Sequence, residues 1–123
     1  MIRGTLIAES LRLDAALDAV PLLVHKVIRA GPFGDLPVGQ PAVWTFLEFS
    51  VDESHAERLA AALAEVLDPA PGWYCDFRTE TETFVVFSGR TFRYRRGDAT
   101  GRGRAAAHAR SIGIPESQID WPE

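Results

Sequence analysis

Cysteine and lysine are almost absent from this sequence of 123 residues. Cys75 is the only cysteine, so the chain cannot form an internal disulfide, and a free thiol favours a reducing compartment such as the cytoplasm. Lys26 is the only lysine, the other basic residues are arginines, and the formal net charge is −4. This acidic balance disfavours general binding to nucleic acid or anionic lipid.

The sequence also has no recognisable targeting segment and no recognisable catalytic or metal-binding motif. No apolar run approaches the roughly 18 residues of a membrane span, and the N-terminus lacks the apolar core of a secretory signal. The histidines show no metal-ligand spacing, and no nucleophile elbow or Walker-type glycine loop is present. We therefore expect no metal, no cofactor and no catalytic residue, which favours a non-enzymatic protein without deciding the question.

The composition is that of an ordinary globular protein. Apolar residues make up 46% of the chain and charged residues 24%, and a chain of this length buries a sizeable core without disulfides. We expect one domain over residues 1–123. Strands are expected at residues 5–12, 22–29 and 42–51, with a helix over 11–20 as the alternative for the first region. Residues 30–41 are rich in Gly and Pro and are expected to form a loop.

Two helices are expected. Ser54 and Glu57 have the spacing of a capping box, and the apolar stripe that follows predicts a helix ending at Leu67. A second helix is expected from Asp98 to Ile112, although glycines at positions 101 and 103 weaken its interior.

The segment 73–96 predicts three antiparallel strands with apolar side chains on both faces. Turns at Glu80–Thr81 and Ser88–Gly89 would pair Phe77 with Phe84 and Val85 with Phe92. One face then carries Trp73, Cys75, Phe77, Phe84 and Val86, and the other carries Tyr74, Val85, Phe87, Phe92 and Tyr94. Leaving five such side chains in water would forfeit on the order of 10 kcal/mol, so both faces must be covered.

These elements predict an α+β fold with a mainly antiparallel sheet of five to six strands and two helices packed on one face. The other face would be covered by the 30–41 loop and N-terminal strands, by a second copy, or by a ligand. We expect a protein-protein surface there, such as that of a homodimer, formed by Tyr74, Val85, Phe87, Phe92 and Tyr94.

Arginines cluster between Arg90 and Arg104, next to a Gly-rich helix start. An alternative function is therefore an anion- or nucleotide-binding module, with candidate ligands Arg93, Arg95, Arg102 and Arg104. The competing interpretation is a solvated strand face on which Arg93 and Arg95 pair with acidic residues across the sheet. Asp76, together with Glu48, Glu80 and Glu82, is also a candidate for paired carboxylates. Cys75 is expected to be an inert core thiol.

Residues 105–119 resemble the turn and recognition helix of a helix-turn-helix DNA reader. The second half of this segment carries Glu116 and no Arg or Lys, whereas a helix in the major groove needs cations facing phosphates. DNA binding is therefore the least favoured alternative.

Three stretches carry a family resemblance: GWYCDF at 72–77, TETFVVFSGRTFRYRRGD at 81–98 and GIPESQIDW at 113–121. They resemble a family of small uncharacterised actinobacterial proteins over most of the chain. The resemblance implies a soluble bacterial protein and carries no activity or site residue with it.

Overall fold

The fold is a single antiparallel sheet with two helices. The computed structural model describes residues 1–31 and 36–123. The sheet has six strands in the order β2-β3-β1-β4-β5-β6. The strands are β1 (Ile2–Ile7), β2 (Leu23–Ala30), β3 (Trp44–Val51), β4 (Tyr74–Arg78), β5 (Glu82–Phe87) and β6 (Arg90–Arg95), and the helices are α1 (Ala56–Val66) and α2 (Ala99–Ser111). The α+β class and the antiparallel sheet are confirmed.

The predicted registers of β4, β5 and β6 are confirmed. Phe77 lies opposite Phe84 between β4 and β5, and Val85 lies opposite Phe92 between β5 and β6. Gly89 has a φ of 71°, which is the left-handed conformation that a tight hairpin turn requires. The alternation of side chains along β5 therefore gives the sheet two apolar faces, as the sequence indicates.

The two helices lie on opposite faces of the sheet, so the prediction that both pack on one face is wrong. Leu59 and Leu63 of α1 belong to the cluster that contains Phe84 and Val86 of β5. Ala105 and Ala109 of α2 belong to a second cluster with Val85 and Phe87, the residues that alternate with them. The physical reason is that β5 has apolar side chains on both faces, so each face needs its own cover.

The C-terminal tail (residues 114–123) completes the cover over the second face. Trp121 is only 2% exposed and packs among the rings of Tyr74 and Phe87. Side-chain hydrogen bonds hold the tail. Tyr94 Oη donates to the Pro122 carbonyl at 2.7 Å, and Arg102 donates to the carbonyls of Trp121 at 3.0 Å and Ile119 at 3.2 Å. The side chain of Arg78 also donates to the backbone carbonyl of Glu123.

Gly101 allows α2 to approach the sheet closely. A Cβ at this position would lie 2.4 Å from Cβ of Tyr94, closer than any real side chain can come. Gly103 faces open space. The first glycine is therefore a packing requirement of the helix, and its low helix propensity is offset by the contact it permits.

The remaining expectations have mixed outcomes. β1 ends at Ile7, the stretch 11–20 contains no helix, and the loop predicted over 30–41 falls in part on residues 32–35, outside the described residues.

The capping box does not form: Asp52 accepts the Ser54 amide at 2.8 Å, a 3-10 turn follows at Glu53–His55, and α1 begins after it. Neither helix in the described ranges has the length and apolar character to cross a membrane.

Candidate functional site

The five predicted interface residues do not form an exposed surface. Val85, Phe87 and Tyr94 are buried, with Phe87 only 1% exposed, while Tyr74 and Phe92 are partly buried against the same cluster. α2 and the C-terminal tail cover them, which corrects the prediction that this face awaits a partner. The correction arises because α2 crosses to the second face after β6.

The four predicted anion ligands do not converge. Arg93 lies on the α1 side, where its guanidinium pairs with Glu82 at 2.6 Å and Glu57 at 2.7 Å. These two carboxylates raise the pKa of Arg93. Arg102 lies on the opposite side and donates to the tail carbonyls. Arg95 and Arg104 are exposed on β6 and α2 respectively.

The N-terminus of α2 is also occupied. The Asp98 carboxylate accepts the amide of Gly101 at 3.1 Å and so takes the place that a bound anion would fill. The pairing of Arg93 with Glu82 agrees with the competing interpretation, in which the arginines of β6 pair with acidic residues on a solvated strand face. The geometry therefore gives the anion hypothesis no assembled site among these four residues.

The DNA-reading interpretation of residues 105–119 also lacks its structure. Ala105, Ala106 and Ala109 are buried against the sheet. The segment after Gly113 contains a single 3-10 turn, Glu116–Gln118, where a recognition helix would be needed.

A cleft of approximately 670 Å³ lies where the C-terminal tail meets the half of the sheet that α2 leaves uncovered. The described residues that line it come from β1, β3, β4, the two residues that precede β4, and the tail. They are Thr5, Ile7, Trp44, Phe46, Gly72, Trp73, Tyr74, Cys75, Asp76, Ser117, Gln118 and Asp120. This volume is in the range of small-molecule sites, about 300–1,000 Å³.

Aromatic rings form the apolar wall of the cleft. The ring of Trp44 lies 5.3 Å from that of Trp73, edge to face, and 6.1 Å from that of Phe46. The Trp44 indole is oriented by a hydrogen bond from Nε1 to the Pro41 carbonyl at 2.7 Å. Phe46 lies opposite Ile7 in the β1–β3 ladder and keeps part of its surface exposed. Trp44 and Trp73 are largely buried, so Phe46 supplies most of the flat apolar area that this wall offers to a ligand.

Carboxylates form the polar end of the cleft. Asp76 is half-buried on β4, and burial, with the charge of Asp120 as the second cause, raises its pKa to about 6. Tyr74 Oη donates to Asp120 Oδ1 at 2.8 Å and also contacts the carbonyl oxygen of Gln118. Burial and the neighbouring Asp120 raise the pKa of Tyr74, so the phenol keeps its proton at neutral pH.

The hydrogen-bond inventory at this end is rich in acceptors. A phenol has one proton, yet Tyr74 Oη faces two acceptor oxygens. Arg78, whose charge lowers the pKa of Asp76, directs its guanidinium to Thr83 Oγ1 at 3.1 Å and to the Glu123 carbonyl. Among the described residues lining the cleft there is no Lys, Arg or His. The acceptors of this site can therefore be satisfied by protonation of a carboxyl group or by a ligand that donates hydrogen bonds.

Backbone turns near the cleft are fixed by amide side chains. Gln40 is buried and donates from Nε2 to the Gly72 carbonyl at 3.0 Å. Gly72 has a φ of 111°, a conformation that favours glycine, and it leads directly into Trp73 and β4. The chain entering β4 is therefore held in place beside the aromatic wall.

The Cys75 thiol lies in the core. The Cys75 thiol is fully buried against the Thr5 carbonyl at 3.6 Å, and burial raises its pKa, so it is not an activated nucleophile. Within residues 1–31 and 36–123 no group of three or more His, Cys, Asp or Glu is placed to hold a metal ion.

Sequence reasoning named Asp76 but missed its partner. Asp76 was a candidate for paired carboxylates with Glu48, Glu80 and Glu82, whereas the structure places it beside Asp120 of the tail. The signal available in the sequence was the tail itself, because a C-terminal Ile-Asp-Trp segment carries an apolar anchor next to a charge. Where that anchor docks depends on the face to which α2 crosses.

No known family model, curated protein or solved structure matches the chain. The resemblance to small actinobacterial proteins accordingly stays a prediction.

Proposed function

We propose that this is a small-molecule-binding protein whose site is the cleft between the C-terminal tail and strands β1, β3 and β4. The observation that carries the proposal is the combination of an aromatic wall with a carboxylate end in one cavity of ligand size. The buried free thiol of Cys75 favours a reducing cytoplasm as the place of action.

The composition of the cleft supports binding over a purely structural role. The half-buried carboxyl of Asp76 in the lining of an apolar cavity is costly for folding unless its oxygens find partners. Asp76 is half-buried and its charged form is disfavoured there, which is an arrangement typical of functional sites. A ligand that satisfies these oxygens would offset that cost.

A cavity-filling variant tests the proposal. Thr5 is exposed on the cleft side of β1, so Thr5→Trp should fill the cleft without disturbing the core. The wild type should bind at least one of 2-phenylethylamine, 2-phenylethanol and phenylacetate, with amide NMR shifts at Thr5, Tyr74 and Gln118, and the variant should not.

Arg3→Trp is the matched control, because Arg3 lies two positions away on the same exposed side of β1 and outside the lining of the cleft. It should bind as the wild type does. No binding of the three compounds, or equal binding by Thr5→Trp, would contradict the proposal.

A second candidate is self-association through the edge strand β2. Leu23 and Val27 are 58% and 61% exposed on this strand, which among the described strands has β3 as its one neighbour. The other edge, β6, carries three exposed arginines, which discourage pairing of that edge with itself. We propose a second copy as the occupant, since a two-fold axis near Val27 would extend the sheet and bring the two valines together.

Charge does not oppose this pairing. Lys26 lies directly opposite Glu48 in the β2–β3 ladder, and Arg29 donates to Thr45 Oγ1 and interacts electrostatically with the carboxylate of Glu9, so each of these two cations of β2 has an acidic residue nearby in its own copy. Light scattering of the wild type at high micromolar concentration should give a dimer, and Val27→Lys should give a monomer with unchanged melting temperature. Val38→Lys is the control, because Val38 is 98% exposed outside any strand. A wild type that stays monomeric throughout would eliminate this candidate.

A further inference from the structure

The class of ligand that fits the cleft follows from the charge and the hydrogen-bonding character of its polar side chains. The described polar side chains of its lining are hydroxyls, the Gln118 amide and the carboxyls of Asp76 and Asp120, and no basic side chain is among them. Carboxylates only accept hydrogen bonds when ionised, and the one phenol proton of Tyr74 is already engaged. The arrangement therefore calls for a ligand that brings its own protons and positive charge.

The aromatic rings of the cleft also favour a cationic ligand. Trp44, Phe46 and Trp73 form a contiguous group of rings in the lining of the cleft that also contains the two carboxylates. Trp44 and Trp73 are largely buried in the core cluster that contains Phe84, and Phe46 keeps more of its surface exposed. The faces of such rings carry negative potential and attract cations, most strongly in sites shielded from water. A cationic head group would thus meet favourable charge from the rings as well as from the aspartates.

We infer that the cleft binds an organic cation, an ammonium or amidinium group on an aromatic or branched aliphatic body. This inference rests on the proposed function. The cationic head lies between Asp76 and Asp120 and donates to their oxygens, while the body packs against Phe46 and Ile7. Ser117 and Gln118 of the tail border the same space and supply further acceptors.

The competing ligand classes fit less well. An anion would meet two carboxylates and no described cation in the lining, and like charges at close range repel. A neutral alcohol can satisfy one acceptor but brings no positive charge to the two carboxylates, of which Asp76 has, among the described residues, only Arg78 as a nearby counter-charge. A metal ion would need more oxygen ligands in one place than the described residues gather.

Three compounds of equal size and different charge test the inference by isothermal titration calorimetry at pH 7.5. They are 2-phenylethylamine, 2-phenylethanol and phenylacetate, which are cationic, neutral and anionic. The amine should bind about tenfold or more tightly than the alcohol, and the acetate more weakly than the alcohol.

Two variants separate charge from shape. Asp76→Asn and Asp120→Asn keep the size of each side chain and remove its charge, so each should lower the affinity for the amine and leave that for the alcohol unchanged. Because Asp76 is faced by Asp120 and Arg78, with Tyr74 and Cys75 beside it, amine binding should also weaken as the pH falls below 6 and Asp76 becomes protonated.

The failures of the two proposals are distinguishable. Equal binding of amine, alcohol and acetate in the cleft would overturn the cation inference and leave small-molecule binding standing. Preference for phenylacetate would overturn it as well. No binding of any of the three would overturn both. Asp120→Asn keeps the test valid even if Asp76→Asn fails to fold, because Asp120 is exposed.

Discussion

Replacing Phe87 by Glu is expected to unfold the protein. Phe87 is buried between α2, Tyr74 and Trp121, so the variant loses a large apolar side chain and places an unpaired carboxylate in the second cluster. Loss of a buried Phe alone costs about 3–5 kcal/mol, and the buried charge adds several more, against a total stability of roughly 5–15 kcal/mol. Circular dichroism should show no cooperative thermal transition.

Arg90→Glu is the matched control. Arg90 lies directly opposite Phe87 in the β5–β6 ladder but is exposed, so the same new side chain there should leave the fold intact. If Phe87→Glu were instead a folded monomer of near-normal stability, the second face would be open to water, and the closure by α2 and the tail would be wrong.

Asp76→Asn is expected to stabilise the protein at neutral pH and to have little effect in acid. The pKa of Asp76 is raised in the folded state to about 6, from 3.8, chiefly by burial and then by Asp120, with Arg78 opposing. A carboxyl whose folded-state pKa is raised binds more protons folded than unfolded, so the wild type loses stability as the pH rises from about 4 to 6. The asparagine variant does not titrate and avoids that loss.

Urea unfolding at pH 4 and pH 7.5 measures the effect. The variant should gain on the order of 2 kcal/mol relative to wild type between the two pH values, because one pKa unit corresponds to about 1.4 kcal/mol. Asp18→Asn is the control, since Asp18 is exposed in the loop before β2 and should show no such difference. A pH-independent effect of Asp76→Asn would indicate a purely steric role.

Strands β4, β5 and β6 could be predicted from the sequence because the signals that define them, tight turns and the alternation of side chains, lie close together in the chain. The Ser88–Gly89 turn fixes the pairing of Phe87 with Arg90, and the alternation along residues 83–87 then assigns each side chain to a face. Asp98 and Gly113 likewise mark the ends of α2 by capping and by a left-handed φ.

The face that α2 occupies could not be predicted in the same way. The three residues between β6 and α2 permit either side of the sheet, and α2 has too little apolar surface to indicate a preference. Helix propensity marks Gly101 as a weak point in α2, whereas its close approach to Tyr94 is what lets the helix pack against the sheet. The cleft depends on that choice, because Asp120 reaches Asp76 only when the tail follows α2 onto the second face.

The most direct measurement of the central claim is the titration of the Asp76 carboxyl by ¹³C NMR, with and without 2-phenylethylamine. The free protein should give a pKa near 6 for Asp76. Saturating amine should lower it by roughly one unit or more, because a bound cation favours the ionised carboxylate. A pKa near 4 in the free protein, unchanged by the amine, would contradict the account of a buried carboxylate at the head of a cation-binding cleft.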